Sequence, residues 1–219
     1  MSSILIRRAN IAYGGIPAPM PSRLPAGFTE LEYIESSGTQ YIDVGFKWSY
    51  NISNKSVCRM MSRKSSGIGI VAARNSSARA WGNFQTNESS NDNYACFGSN
   101  VNVRFTWNAA DGNYHEWYID NAGFYIDGTL KADVSGSASS LVSNENITFF
   151  GRYNGNGSGT IERTGSWRLK SSKFWNSGTL IMDLVPARRD SDSEIGLYDI
   201  VSDAFFTNAG TGTFSYGEL

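Results

Sequence analysis

Residues 101–107 read V-N-V-R-F-T-W, and their apolar side chains recur at every second position. This period of two is typical of a strand that buries one face and exposes the other. Two more apolar segments follow at 114–120 and 124–127, and the Asp127-Gly128 dipeptide predicts a tight turn into residues 129–132. The stretch therefore predicts an antiparallel meander whose first strand turns four side chains into a core: Val101, Val103, Phe105 and Trp107.

The same kind of pattern continues along most of the chain. Short apolar or alternating segments separated by Gly, Asn, Asp and Ser predict further strands, and no long segment has the 3.6-residue period of a helix. The predicted segments are 39–46, 56–61, 67–73, 78–85, 146–151, 161–170, 172–175, 180–185, 195–200 and 204–207. About a dozen strands exceed a minimal immunoglobulin sandwich. We therefore expect an all-β fold, a two-sheet antiparallel jelly-roll sandwich over residues 28–219.

Composition excludes several classes of function. The 219 residues carry 19 Lys and Arg against 20 Asp and Glu, so the chain lacks the basic footprint of a nucleic-acid-binding protein. No apolar run approaches the roughly 18 to 20 residues of a membrane span. The single histidine, His115, excludes a two-histidine zinc site and leaves no partner for a histidine-based triad. Cys58 and Cys96 are too few for a disulfide framework, and we expect buried free thiols.

Residues 1–27 differ from the rest and predict an extended N-terminal arm or linker. Four of the five prolines lie there, and the segment holds three arginines and no acidic residue. Its apolar clusters favour docking on a partner protein over a plain solvated tail, which is the alternative. The residues expected to dock are Ile4, Leu5, Ile6, Arg7, Arg8 and Tyr13. Three apolar residues precede the basic pair, which is the wrong order for a secretion signal.

Residues 113–131, N-Y-H-E-W-Y-I-D-N-A-G-F-Y-I-D-G-T-L-K, resemble the central signature of laminin G-like, concanavalin A-like domains. Tyr114-His115 stands where that family has Trp-His, and residues 125–128 match its Tyr-x-Asp-Gly turn. Residues 24–43 and 184–199 are similar to the opening and closing blocks of a narrower group found in bacteriophage virion proteins and gut-bacterial surface proteins. The resemblance covers about residues 24–214.

The resemblance implies a non-enzymatic surface module of a bacteriophage virion, such as a capsid decoration, head-fibre or tail-associated protein. Its implied partners are other virion proteins, bound through the arm in a multi-copy or homo-oligomeric assembly, and a host-surface glycan. The implied location is the virion surface, reached from the host cytoplasm without a signal peptide. Because this fold hosts many functions, a bacterial adhesion protein and a laminarinase-type glycoside hydrolase stay as alternatives.

Aromatic residues near Asn-, Ser- and Gly-rich turns are candidates for glycan binding. The apolar face of a sugar packs on an aromatic ring, and its hydroxyls pair with amides and carboxylates. The candidates are Trp48, Trp81, Asn83, Gln85, Tyr94 and Tyr153. The alternative for the aromatic members is ordinary packing at the edge of the sandwich.

Two acidic clusters are candidate sites of chemistry. Glu30, Glu32 and Glu35 match the outer spacing of the laminarinase motif, but a glutamate replaces its central aspartate, and a regular strand would turn Glu35 away from the other two. We therefore expect no catalytic residues. The segment Asp190-Ser-Asp-Ser-Glu194 lacks the glycine and glutamate positions of a calcium loop. We expect no cofactor and no metal, with calcium as the open alternative.

Overall fold

The structure is a computed structural model that describes residues 22–62, 70–76, 79–82, 85–86, 92–155, 158–162 and 164–219. The docking residues predicted in the arm, from Ile4 to Tyr13, and the candidate Asn83 lie outside this part of the chain. The described part is all-β and contains no helix, so it also contains none that could cross a membrane. The all-β, antiparallel prediction is confirmed.

Nineteen strands make up the described part of the chain. They are β1 (Phe28–Ser37), β2 (Ile42–Ser49), β3 (Ile52–Met60), β4 (Val71–Ser76), β5 (Arg79–Trp81), β6 (Gln85–Thr86), β7 (Asp92–Phe97), β8 (Asn100–Thr106), β9 (His115–Ile119), β10 (Gly123–Ile126), β11 (Thr129–Asp133), β12 (Val142–Phe149), β13 (Arg152–Tyr153), β14 (Ile161–Glu162), β15 (Ser166–Asn176), β16 (Thr179–Arg189), β17 (Ile195–Asp199), β18 (Ala204–Thr207) and β19 (Ser215–Glu218).

Ten strands form one large antiparallel sheet in the order β11-β10-β9-β3-β15-β1-β16-β17-β18, with β19 beside β1. Strands β15 and β16 form a hairpin that pairs near its turn and then separates. Strand β1 lies in the gap, where it pairs with β16 at residues 28–30 and with β15 at residues 34–37. The sequence predicted two strands at 161–170 and 172–175, but β15 is continuous because a bulge between Leu169 and Ser171 absorbs the shift in register.

The remaining strands supply the opposing layer. Strands β2, β12, β4 and β5 pair in that order, and β6, β7 and β8 form a three-stranded sheet. Backbone N–H groups of Ala80 and Gly82 donate to carbonyls of Gly98 and Cys96, which joins β5 to the end of β7. The layers pack face to face: the ring of Phe174 on β15 meets those of Trp48 and Phe149, with centroids 5.7 and 6.3 Å apart. This arrangement is consistent with a β-sandwich.

The predicted inward face of 101–107 agrees with the structure where its side chains are described. Phe105 is buried, and Val103 and Trp107 pack against the same core. The side chain of Val101 lies outside the described part. Trp117 joins this region to the centre of the core, since its ring meets that of Trp167 at a centroid distance of 5.1 Å.

A second, smaller apolar cluster lies on the outer face of the large sheet. Val185, Ala187 and Tyr198 form it with Leu24, a residue that precedes the first strand. Leu24 is 8% exposed, so residues next to it belong structurally with the sandwich although the sequence places them in the arm. Asp190 N–H also donates to the Gly27 carbonyl at 2.9 Å. Residues 22–27 are therefore attached to the domain.

Candidate functional site

The outer face of the large sheet holds a row of three side chains in exact lateral register. Lys55 on β3 is the Cα partner of Tyr118 on β9, and Tyr118 is the Cα partner of Tyr125 on β10. All three are half-buried, whereas the intervening Trp117 and Ile119 point into the core. The period of two in each strand thus places one cation and two phenol rings side by side on the surface.

Tyr118 and Tyr125 line an open depression of about 300 Å³. Their ring centroids are 5.7 Å apart and the rings are inclined by 45°. Lys55 and Glu116 form an ion pair of 2.8 Å at its rim, with side chains 41% and 42% exposed. Gly128 completes the wall at φ +73°, with no atom within 4 Å of where a Cβ would stand. The depression therefore offers an apolar aromatic surface with charged groups at its edge.

A second depression of about 200 Å³ adjoins the first, because Tyr118 lines both. Its other lining residues are mostly polar: Tyr50, Asn51, Ile52, Ser53, Asp120, Asn121 and Ser177. Asp120 is held in place from two sides. Its Oδ1 accepts from the N–H groups of Ala122 and Gly123 at 2.9 Å each, and its Oδ2 accepts from the Tyr118 hydroxyl at 3.1 Å.

Burial and the nearby charge of Asp120 raise the pKa of Tyr118, despite a hydrogen bond from Ser53 that acts in the opposite sense. The phenol therefore stays protonated at neutral pH and acts as the donor to Asp120. The carboxylate in turn keeps lone pairs for further donors, since each oxygen can accept more than one hydrogen bond. We name the two depressions together the Tyr118 cleft.

The Tyr118 cleft has the chemistry of a saccharide site. Two phenol rings can carry the apolar face of a pyranose, and the adjoining carboxylate and amides of Asp120, Asn51 and Asn121 can pair with its hydroxyls. None of these residues was predicted from the sequence, although the signal is visible in the Y-I-D-N-A-G-F-Y run at 118–125.

The two tryptophans predicted to bind glycan are core residues instead. Trp48 and Trp81 are both 0% exposed, and the Trp48 indole N–H donates to the Ile52 carbonyl at 3.0 Å. The prediction was wrong for these two because flanking Gly and Asn suggested a loop, whereas Trp48 lies within β2, one residue before its end, with its ring turned into the core. A fully buried ring has no face for a sugar.

The other predicted glycan residues do not gather at one place. Tyr153 on β13 donates its hydroxyl to Asp43 Oδ2 at 2.8 Å, and the Asn146 side chain donates to the same oxygen at 3.2 Å. Burial and the Asp43 hydrogen bond raise the pKa of Tyr153. Tyr94 lies half-buried on β7, where it pairs in register with Gln85 on β6. Tyr153 is thus part of a separate polar cluster on the opposite layer.

The carboxylates of the hydrolase-like motif are each paired with a cation. Glu35 accepts from Arg168 at 2.7 Å and Glu32 from Lys170 at 2.9 Å, while Glu30 pairs with Arg23. The sequence predicted that Glu35 points away from the other two. The structure corrects this, because a bulge between Leu31 and Tyr33 shifts the alternation and places Glu35 beside Glu32 on the outer face.

The acidic turn at 190–194 makes contacts with its own neighbours. Asp192 pairs with Arg189 through two nitrogens, at 3.0 and 2.6 Å, and Asp190 Oδ1 accepts from the Thr29 hydroxyl at 2.8 Å. In the described part of the chain, no three His, Cys, Asp or Glu side chains are arranged to hold a metal ion. No protein-family model matches this sequence, and no curated protein matches it.

Proposed function

We propose that this protein is a non-catalytic, glycan-binding surface module of a bacteriophage particle, built on a laminin G-like jelly roll. The observation that carries the glycan-binding part is the Tyr118 cleft, in which two phenol rings adjoin an oriented carboxylate on a solvent-facing sheet. The proposal that this protein belongs to a bacteriophage particle rests on the resemblance of residues 24–43 and 184–199 to segments of virion proteins.

The ion pairs of the first strand support a binding role over a hydrolytic one. A retaining glycosidase needs two unencumbered carboxyl groups about 5–5.5 Å apart, one of which must be protonated. Glu32 and Glu35 each accept a charge-assisted hydrogen bond from a separate cation, Lys170 and Arg168. Both carboxyl groups are therefore engaged by neighbouring cations and are not the unencumbered pair that such a mechanism needs.

The test of glycan binding is a panel of host-surface and plant polysaccharide fragments titrated calorimetrically against the wild type, Tyr118→Ala and Tyr125→Ala. We expect each substitution to weaken binding of the recognised fragment by about tenfold, the loss that corresponds to roughly 1.4 kcal/mol of stacking and packing. Tyr216→Ala, at an exposed tyrosine on β19, is the matched control and should bind normally. Unchanged binding in both cleft variants contradicts the proposal.

The test of the particle role is mass spectrometry of purified virions together with a deletion of residues 1–21. This deletion keeps Leu24 and every described contact of residues 22–27. We expect the shortened chain to fold and to be lost from the particle. Release of the intact protein to the host-cell surface, with none in the particle, favours the bacterial adhesion alternative.

A further inference from the structure

One tryptophan of this protein lies outside its core. All six tryptophans fall in the described part of the chain, and five of them form the core or pack against it: Trp48, Trp81, Trp107, Trp117 and Trp167. The sixth, Trp175, belongs to neither apolar cluster and is half-buried. Ser172 and Phe174 on β15 are fully buried on the inner face, so the alternation of the strand turns Trp175 to the outer face of the large sheet.

Trp175 borders the polar half of the Tyr118 cleft. It is the Cα partner of Ser53 on β3, and both Ser53 and Ser177, two residues beyond Trp175, line that depression. Tyr118 is the Cα partner of Lys55, which lies two residues from Ser53 on the same strand. Two strand spacings of about 4.8 Å and two residues of about 3.3 Å therefore place the Cα atoms of Tyr118 and Trp175 roughly 12 Å apart.

An exposed leucine extends the apolar surface of Trp175 away from the cleft. Leu180 on β16 is the Cα partner of Trp175, and it is 38% exposed. The next outward pair on these two strands is charged, since Lys173 Nζ lies 2.8 Å from Asp183 Oδ2. Trp175 and Leu180 thus form a narrow apolar strip between the polar depression and charged groups. Ligand sites have this composition, with aromatic and apolar surface beside a few polar groups that fix orientation.

We propose that Trp175 is a second sugar-stacking surface of the Tyr118 cleft, so that the recognised glycan is an extended β-1,4-linked oligosaccharide and not a single sugar. This inference rests on the proposed function, since the sugar chain begins on the rings of Tyr118 and Tyr125. A single pyranose is too short to reach both places. Ser53 and Asp120 line the depression between them and can pair with hydroxyls of the intervening sugars.

The outer face favours an extended chain because its aromatic groups share one surface and are separated by more than one sugar. In a β-1,4-linked glucose chain the linkages and the hydroxyls are equatorial. The chain is therefore extended, and the faces of each ring carry only C–H groups, which pack on aromatic side chains. An α-1,4-linked chain curves into a helix and does not keep its sugars on both Trp175 and Tyr118.

The first experiment compares the binding of cellobiose and cellohexaose by calorimetry. We expect the wild type to bind cellohexaose about tenfold more tightly, the gain from one added aromatic contact. Trp175→Leu should lose most of this gain, whereas Trp175→Phe, which keeps a flat ring, should retain part of it. Equal binding of the two sugars by the wild type overturns the inference. A full gain that survives in Trp175→Leu overturns it as well, and so does failure of both sugars to bind.

Maltohexaose, the α-1,4-linked chain of the same length, is the matched control ligand. It should bind no more tightly than cellobiose, and a preference of the wild type for maltohexaose over cellohexaose overturns the inference. Both Trp175 variants should unfold at the wild-type temperature, because Trp175 belongs to neither apolar cluster.

A second measurement observes Trp175 directly. Acrylamide quenches the fluorescence of tryptophans that solvent can reach, and the other five tryptophans form the core or pack against it. Trp175→Phe should therefore remove most of the quenching. Cellohexaose should protect the wild type from acrylamide, whereas cellobiose, held in the cleft, should protect it less. Quenching that saturating cellohexaose leaves unchanged overturns the inference.

Failure of this inference is distinguishable from failure of the proposed function. Tyr118→Ala should weaken the binding of cellobiose and cellohexaose alike, because both sugars use the cleft. If Trp175→Leu binds like the wild type while Tyr118→Ala weakens the binding of a fragment, this inference fails and the proposed function stands. If neither Tyr118→Ala nor Tyr125→Ala changes the binding of any fragment in the panel, the proposed function itself fails.

Discussion

The imidazole Nδ1 of His115 lies 2.6 Å from Oδ2 of Asp127, which holds a positive φ of 50° at the turn between β10 and β11. The opposite nitrogen, Nε2, lies 3.1 Å from Asp111 Oδ2. Burial lowers the pKa of His115, but its hydrogen bonds to Asp127 and Asp111 outweigh that effect and raise it. Hydrogen bonds also overcome burial and lower the pKa of both carboxyls. At Asp127 the bond to His115 is the larger contribution, and at Asp111 the bond from the Asn113 N–H comes before that to His115. The His115 ring thus connects the loop that contains Asp111 to the turn that contains Asp127.

We predict that the free energy of unfolding falls as pH is raised from 5.5 to 8.5. A raised histidine pKa stabilises the fold fully below the unfolded value of about 6.5, and the effect disappears as pH rises through the folded value. The two carboxyl groups, whose pKa values are lowered, stabilise the fold above about pH 3.9, and they lose this effect in acid. Urea denaturation at three pH values measures the trend. It is specific because His115 is the only histidine in the chain.

The matched control for that prediction is Asp127→Asn. Asparagine tolerates a positive φ and can accept the Glu116 N–H as Asp127 Oδ1 does at 2.9 Å, so the turn is kept while the charge is lost. The fall in the free energy of unfolding between pH 5.5 and 8.5 should be smaller in this variant than in the wild type, and smaller still in His115→Gln. A slope that is the same in all three proteins contradicts the prediction.

Replacing Phe174 by alanine should destabilise the protein by about 3–5 kcal/mol, because a fully buried ring between the two layers is removed. The ring also contacts Phe46 from β2, at a centroid distance of 6.1 Å. Leu130→Ala, at a side chain 52% exposed on β11, is the control and should change stability by less than about 0.5 kcal/mol. Chemical denaturation followed by tryptophan fluorescence decides between a core and a peripheral role.

Ser172→Ala should cost about 1–3 kcal/mol, more than its size suggests. Its hydroxyl lies 2.8 Å from both Asn54 Nδ2 and the Ser56 hydroxyl, in a polar cluster buried on the inner face of the sheet. Removal of one member leaves buried donors without an acceptor. Ser171→Ala, at the half-buried neighbour on the outer face, should be close to neutral. Equal effects at the two positions would refute a role for the buried network.

Leu24→Ala should destabilise the protein by about 2 kcal/mol, the lower end for a buried leucine because the cluster lies on an outer face. Deletion of residues 1–21 should leave the midpoint of thermal unfolding unchanged. Scanning calorimetry on both proteins, with the wild type alongside, tests whether Leu24 attaches the segment to the domain. The prediction is contradicted if the deletion lowers the midpoint of thermal unfolding by more than Leu24→Ala does.

Local pattern was enough to predict most of the strands, although β7 and β19 lie outside the predicted segments, and it predicted the direction of the side chains at 103–107. The inward positions of Val103, Phe105 and Trp107 follow from alternation alone. The order of the strands across the sheet and their register could not be predicted in this way. Strands β3 and β9, for example, are separated by more than fifty residues, and their register is fixed by packing. The Tyr118 cleft depends on that register.

Errors arose where a strand departs from strict alternation. The bulge after Leu31 reverses the expected direction of Glu35, and the bulge after Leu169 joins two predicted strands into one. A bulge adds one residue to a strand and is specified by its neighbours more than by its own sequence. Trp48 is a different case, since it continues the alternation of Ile42 and Val44, but the predicted strand ends at residue 46 and so leaves Trp48 outside it.

The position of β1 in the gap between β15 and β16 also determines when this protein can fold during synthesis. Every ladder partner of β1 lies at residue 166 or beyond, and the last of them, β19, ends at Glu218. Strand β1 thus waits, unpaired, until residues from 166 onward have been translated. Long-range pairing of this kind is slow to form, on the order of milliseconds to seconds even after release. The waiting segment therefore depends on its charged residues, Glu30, Glu32 and Glu35, to resist aggregation with neighbouring chains.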